Sequence, residues 1–242
     1  MKENHLSQTK NVKRALGFLN MLIARPRTEM VGLGLFYGET GFGKTRFAKA
    51  IAKKQGYLYL ELEATMSVRS FAQRLLQLLC SGVASGVASE FKGTTNETVC
   101  RIIDHLHRNP NTVIFIDELN KAFEDKAILG TIRDIVDKTT ATIVLFGTHD
   151  SKERLERANQ YYFDRCMFFY QFEILAVADY QLICDEVCDV KIVPQVVKVL
   201  CERTEGHLRR LIKGLAYLEA IAKQQNLSEI GVDFVGKLQG VV

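Results

Sequence analysis

The sequence predicts an α/β fold, with a parallel sheet flanked by helices and followed by a small all-helical lid. Three observations carry that prediction. Val113–Ile116 and Thr142–Phe146 are continuous runs of apolar β-branched and aromatic residues, the pattern of strands buried on both faces. Such strands alternate with helical segments through the first 174 residues, which implies βαβ units. After Leu175 only helical periodicity remains. A boundary is therefore expected between an α/β core over 1–174, which includes an N-terminal helix, and a helical lid over 175–242.

The elements follow in order. Val12, Leu16, Leu19 and Ile23 fall at helical spacing within a helix over 8–25 that ends near Pro26. Leu33–Tyr37 is a short apolar strand, followed by a glycine turn and a helix over Lys44–Gln55. Tyr57–Leu62 alternates as a second strand. Residues 67–80 are amphipathic, with Val68, Phe71, Leu75 and Leu78 along one side. Over Ser81–Glu90 the unit Gly-Val-Ala-Ser occurs twice in tandem, which favours a flexible loop. A helix over Asn96–Arg108 stops at Asn109-Pro110-Asn111. Val113–Ile116, a helix over 126–137, Thr142–Phe146 and a last strand at Phe168–Phe172 complete the core. The lid reads as helices over 176–188, 194–204 and 206–225, with a short one near 228–238.

Composition narrows the class. With 47% hydrophobic and 25% charged residues in 242, collagen-like, low-complexity and disordered chains are excluded. No apolar run approaches the ~18–20 residues that span a bilayer. Leu16–Ala24 is short, is broken by Asn20 and lacks a cleavage site, so no membrane association and a cytoplasmic location are expected. The six cysteines form no C-x-x-C pair and read as buried thiols rather than a metal site. The net charge of +4 is uneven: residues 1–58 hold eleven Lys/Arg against three Glu, and the remainder is net acidic. The basic first quarter suggests a polyanionic partner or a solvated helix face.

Gly38-Glu39-Thr40-Gly41-Phe42-Gly43-Lys44-Thr45 matches G-x-x-x-x-G-K-S/T and lies between a strand and a helix. Its glycines let successive backbone N–H groups turn towards phosphate oxygens, and the helix N-terminus adds its positive dipole end. Lys44 would reach the β- and γ-phosphates of ATP, and the Thr45 hydroxyl would ligate Mg²⁺. Arg46 follows on the same helix as a further nucleotide-contacting candidate, although an exposed face is the simpler reading. Seventy-three residues beyond Lys44, the strand Val113–Ile116 runs into Asp117 and Glu118. Asp117 can hold Mg²⁺ through water and Glu118 can polarise the attacking water, so the pair argues for hydrolysis rather than binding alone.

P-loop, Asp-Glu, the strand Thr142–Phe146 ending in Gly147-Thr148, and a helical lid together resemble an AAA+ ATPase. The resemblance implies that Thr148, or His149 beside it, is the sensor that positions water or γ-phosphate. It implies that Gly206-His207-Leu208-Arg209-Arg210 is the second sensor, with Arg209 rather than Arg210 meeting the γ-phosphate. In such oligomers an arginine enters the neighbouring subunit's site. Arg165, in Tyr161-Tyr162-Phe163-Asp164-Arg165, is the first candidate, and Arg154 and Arg157 are substitutes.

Within AAA+ proteins, Phe172-Glu173-Ile174-Leu175, then Asp179-Tyr180, then Gly206 to Arg209 and a long last helix resemble the transposition ATPases: the phage Mu B protein, TnsC and TniB. The Leu145-Phe146-Gly147-Thr148 strand end is similar too, and the resemblance covers about residues 8–236. It implies ATP-dependent self-assembly into a ring or helical filament on double-stranded DNA, and delivery of that DNA to a transposase. The phage Mu B protein carries an N-terminal DNA-binding domain, whereas here the first strand already begins at Leu33. DNA contact is then expected from the ATPase core, through phosphates and without base readout, at Arg69, Arg74, Lys121 and Lys126. The lysines and arginines before the P-loop are further candidates for DNA or a neighbouring subunit, with Arg14 or Arg25 near the adenine. Two other AAA+ roles share the same motifs: a helicase loader or replication initiator acting as a nucleotide-switched adaptor, and a regulator that handles proteins. A small-molecule kinase is disfavoured, because the lid with Gly206-x-x-Arg209 is not what a phosphoacceptor site needs.

Overall fold

The computed structural model describes residues 1–2, 5–81, 93–158 and 160–238, the side chains of 235, 237 and 238 aside. The tandem Gly-Val-Ala-Ser segment lies outside the described residues. The chain divides into two compact units. One comprises Gly17–Gly38 and Ile51–Gln171, and the other Met1–Leu16, Glu39–Ala50 and Phe172–Val242. The division falls within the helices α1 (Lys10–Ile23) and α2 (Lys44–Gln55), and again after Gly38 and before Phe172.

The first unit is built on a parallel five-stranded sheet. Its strands are β1 (Leu33–Gly38), β2 (Leu58–Glu61), β3 (Val113–Asp117), β4 (Thr142–Phe146) and β5 (Cys166–Phe172), in the spatial order β2-β3-β4-β1-β5. β3 and β4 are buried at every residue, which is why their sequences carry no alternation. Register sets Glu61 opposite Asp117 and Phe36 opposite Phe146. Phe36, Phe115 and Phe146 interlock at ring separations of 5.5 and 5.3 Å, in tilted or edge-on geometry. Helices α3 (Val68–Cys80), α4 (Thr95–Arg108) and α5 (Lys126–Lys138) bury their apolar faces on the other side of the sheet, where Phe71, Leu75, Ile102, Leu106, Ile132 and Ile135 share a core with Ile114, Ile116, Ile143 and Leu145. Each start is set by a capping residue. Ser67 accepts from the Ser70 N–H, Asp125 accepts from the Ala127 N–H, and Thr94 forms a reciprocal box with Glu97. A 3-10 turn over Leu119–Phe123 and the short helices α6 (Ser151–Ala158) and α7 (Gln160–Arg165) complete the unit.

The second unit holds α8 (Val177–Val187), α9 (Pro194–Thr204) and α10 (Leu208–Gln224) around a separate core that includes Tyr180, Val197, Leu200, Leu211, Leu215 and Leu218. Its expected all-helical character needs one correction. Lys191–Ile192 (β6) and Glu229–Ile230 (β7) pair as a short parallel ladder, and the last segment is a 3-10 turn over Val232–Leu238. Two-residue strands are too short to show a period in the sequence. Asn11 fastens the start of α1 within this unit: its amide donates to the Glu173 oxygen at 2.7 Å and accepts from the Glu173 N–H at 3.1 Å. Asp179, buried, accepts from the N–H groups of Lys10 at 2.8 Å and Ala176 at 3.2 Å, so one carboxylate caps two helix starts. The Tyr180 hydroxyl meets Thr204. Asp179-Tyr180, singled out in the sequence, thus has a structural task in this unit.

Candidate active site

The P-loop leaves β1 at Gly38 and enters α2 at Lys44. Gly41 and Gly43 have φ of 93° and 97°, the left-handed region in which a β-carbon is strained. A β-carbon would also lie 3.0 Å from His207 Nδ1 at Gly41 and 3.0 Å from a Leu208 methyl at Gly43. Conformation and close approach therefore both require glycine here. Lys44 Nζ donates to the Glu39 oxygen at 2.8 Å, and Thr45 is half-buried.

The lid segment that follows α9 sits directly on this loop. His207 Nδ1 lies 3.1 Å from the Thr40 oxygen, a pure acceptor, so Nδ1 carries the proton. The His207 ring packs on Phe42 at 5.1 Å, and the Arg209 N–H donates to the Gly41 oxygen at 3.4 Å. The Arg209 side chain is exposed on the first turn of α10, whereas Arg210 is committed to Glu205 at 2.8 Å. His207 was quoted in the sequence only as part of the arginine motif, and its own contact emerges from the tertiary structure.

Beside Phe42 and Gly43 lies a shallow cleft with about 30 Å³ of enclosed space, or about 390 Å³ when space open to solvent is counted. Leu6, Val12, Phe172, Leu175 and Ile183 give it apolar walls, while Thr9 and Asn11 add polar atoms. Arg46 lines it as well. It is half-buried, donates to the His5 oxygen at 2.7 Å, and burial lowers its guanidinium pKa, so it is not the plain exposed-face residue that its helix position suggests. An apolar slot with a few polar atoms beside a phosphate-type loop suits a planar heterocycle. Neither Arg14 nor Arg25 lines it. Arg14 pairs with Glu173 at 3.4 Å, and Arg25 spends its guanidinium on backbone and hydroxyl oxygens.

The acidic residues lie in the first unit. Asp117 ends β3 at 3% exposure, and its two oxygens accept from the Tyr59 hydroxyl at 2.9 Å and the Glu118 N–H at 2.8 Å. Burial and the Asp117 charge push the Tyr59 phenol pKa far above its ordinary value, so it stays a donor. Glu118 is held at φ 61°, ψ 42°, a left-handed conformation that is uncommon outside glycine and recurs at functional turns. Thr148 follows β4, and its hydroxyl donates to Asp150. That bond, with Arg154 adding to it, holds the Asp150 carboxyl below its ordinary value. His149 beside it is exposed.

Arg165 closes α7 and binds Asp137 at 2.6 Å and the Tyr161 oxygen at 2.9 Å, and the Asp137 contact raises its pKa. Arg154 lies over the Phe123 ring at 4.4 Å, and Arg157 pairs with Glu153 at 3.4 Å. Of the DNA candidates, Arg69, Arg74 and Lys126 are exposed. Arg74 pairs with Glu63 at 3.0 Å, and Lys121 donates to the Leu62 oxygen at 2.8 Å.

The available chemistry fits a magnesium nucleotide. Thr45 in one unit and Asp117 in the other are each hard oxygen donors of the kind Mg²⁺ takes, and the P-loop opens α2, whose first N–H groups suit a phosphate.

A family model described as an AAA domain matches residues 28–155. No curated protein matches the sequence. Among solved structures, the chain resembles the ORC2 protein of Aeropyrum pernix in its ADPNP–ADP complexes. The TM-score is 0.70 at 16% identity, covering 98% of this chain and 69% of that one. CDC6P from Pyrobaculum aerophilum gives 0.66 at 12% identity, covering 95% and 66%. The RuvB Holliday junction branch migration motor of Thermotoga maritima gives 0.63 at 18% identity, covering 97% and 70%. At these identities the likeness is one of fold.

Proposed function

The chain belongs to the AAA domain family of P-loop NTPases, and from that premise we propose that it is an ATP-dependent, DNA-binding ATPase that assembles on target DNA and regulates a transposase or delivers DNA to it. The observation that carries the nucleotide switch is the seating of His207 and Arg209 on Thr40 and Gly41. A lid fastened to the phosphate loop itself moves when the loop's occupant changes. The transposition assignment is supported by the lid and strand-end sequence, Phe172–Leu175 and Leu145–Thr148.

In this reading residues 1–174 are the core and 175–242 the lid. The P-loop N–H groups and Lys44 bind the phosphates of ATP, and the apolar cleft takes its base. The Thr45 hydroxyl and, through water, Asp117 would hold Mg²⁺, which would supply positive charge against that of the phosphates. Glu118 orients and deprotonates water, Thr148 positions it, and Arg209 meets the γ-phosphate. Arg165 acts on a neighbouring subunit's nucleotide, which requires it to exchange Asp137 for that partner. Arg69, Arg74 and Lys126, exposed, are the stronger DNA-phosphate candidates. Arg74 exchanges a surface pair with Glu63, and Lys121 would first release the Leu62 oxygen.

Electron microscopy of the protein with duplex DNA and a non-hydrolysable ATP analogue tests the proposal. DNA-coating filaments are expected, and isolated small rings or monomers would overturn it. Lys44→Ala is expected to abolish nucleotide binding and assembly. Glu118→Gln is expected to bind ATP, hydrolyse it at least about 100-fold more slowly and leave long-lived DNA complexes. Arg165→Ala is expected to keep ATP affinity and lose the rate gain on assembly.

The second reading is a replication-initiator or helicase-loader ATPase. The fold likeness to ORC2 and CDC6P favours it. It predicts a stable complex with a replicative helicase and little autonomous duplex binding, which a pull-down and a duplex-binding titration separate from the first reading.

A further inference from the structure

Asp117 is buried at the end of β3, and each of its oxygens accepts one hydrogen bond. Oδ2 takes the Tyr59 hydroxyl at 2.9 Å, and Oδ1 takes the Glu118 N–H at 2.8 Å. A carboxylate oxygen has two acceptor positions, so one remains on each. The two donors differ in origin. The Glu118 N–H is fixed by the left-handed backbone at that residue. The phenol is a side chain from β2, the strand next to β3, and register sets Tyr59 opposite Phe115 and Glu61 opposite Asp117. The phenol has a second, longer acceptor in Glu61 Oε2 at 3.3 Å. Two carboxylates thus compete for one hydroxyl proton, and the shorter contact goes to Asp117.

The geometry points to Tyr59 as a positioning residue for Asp117. Donors on both oxygens fix the plane of the carboxylate and leave one acceptor position on each oxygen for water bound to Mg²⁺. A phenol suits this task because it orients the carboxylate without bringing a formal charge. A lysine or arginine there would neutralise the anion that the cation needs. The inference rests on the reading of Asp117 as the group that holds Mg²⁺ through water.

Tyr59→Phe removes one oxygen and keeps the ring, and because the side chain is half-buried on β2 the strand retains its packing. Affinity for a fluorescent, non-hydrolysable ATP analogue is measured first in EDTA and then as a function of Mg²⁺. The variant is expected to match the parent in EDTA and to need about 10-fold more Mg²⁺ for half of the gain in affinity. Superimposable Mg²⁺ curves would overturn the assignment. An equal loss of affinity in EDTA would overturn it too, since a merely structural tyrosine gives that result. A parent whose nucleotide affinity ignores Mg²⁺ would remove both this role and that of Asp117. Assembly on DNA is read separately by microscopy, so failure of the wider functional reading is distinguishable.

Discussion

Arg25 is 4% exposed, and its guanidinium donates to the backbone oxygens of Leu22, Met30, Thr140 and Ala141 and to the Thr142 hydroxyl. These partners join the end of α1 to the start of β4. Arg25→Met would leave several of them buried without a donor, at ~1–3 kcal/mol for each that water cannot reach. A loss of about 3 kcal/mol or more is expected in urea unfolding. Arg25→Lys is expected to recover little, because one ammonium cannot span a five-donor fork. Thr148 and Asp150 give a pH-dependent case. The Asp150 carboxyl is held below its ordinary 3.8, so its contribution is complete above the ordinary carboxylate range and is lost as pH falls through the lowered value. The stabilities of the parent and Asp150→Asn are therefore expected to differ at neutral pH and to converge in acid. A constant gap would remove the assignment. Tyr59 was not legible in the sequence as a partner of Asp117, because it lies on another strand, 58 positions away.

At the scale of elements, helix starts are settled by capping and helix bodies by burial. Thr94 and Glu97 close a capping box on α4, and Thr94→Ala is expected to cost about 1 kcal/mol in thermal or urea unfolding. The strands and long helices were legible because an apolar run or a 3.6-residue period repeats within each. The bounds moved by one or two residues where a cap such as Ser67 or Thr94 stands just outside the first turn. The β6–β7 ladder and α7 were not legible as elements, since two and six residues give no period to read. The P-loop was legible from residue type alone, for its backbone shape needs glycine at Gly41 and Gly43. Its contact with the lid was not, because 167 residues separate His207 from Thr40.

At the scale of the molecule, at least six of the eleven basic residues in the first quarter have partners within the protein, and Arg25 among them is buried. Lys10 and Arg14 pair with Glu173, Arg25 and Arg27 bind backbone oxygens, Lys44 reaches the Glu39 oxygen and Arg46 the His5 oxygen. The cysteines part company with the expectation of uniformly buried thiols. Cys80 and Cys100 are exposed, whereas burial raises Cys166 and Cys184 to about 12. A thiol reagent at mildly alkaline pH is expected to modify Cys80 and Cys100 quickly in the native protein, and Cys166 and Cys184 only after unfolding. Fast modification of Cys166 would contradict its burial in the core. Among the described residues, no helix is long and apolar enough to cross a membrane.

The sequence by itself determined the fold class, the order of the core elements, the phosphate loop and the acidic pair at the end of β3. These properties are carried by residues close together in the chain, where periodicity, glycine conformation and strand-end chemistry act locally. Only the tertiary structure decided which donor holds Asp117, which lid residues grip the P-loop, which arginines are already committed to partners, and where the apolar cleft lies. Each of these depends on side chains brought together from distant positions by burial, and burial acts on the folded surface rather than on sequence neighbours.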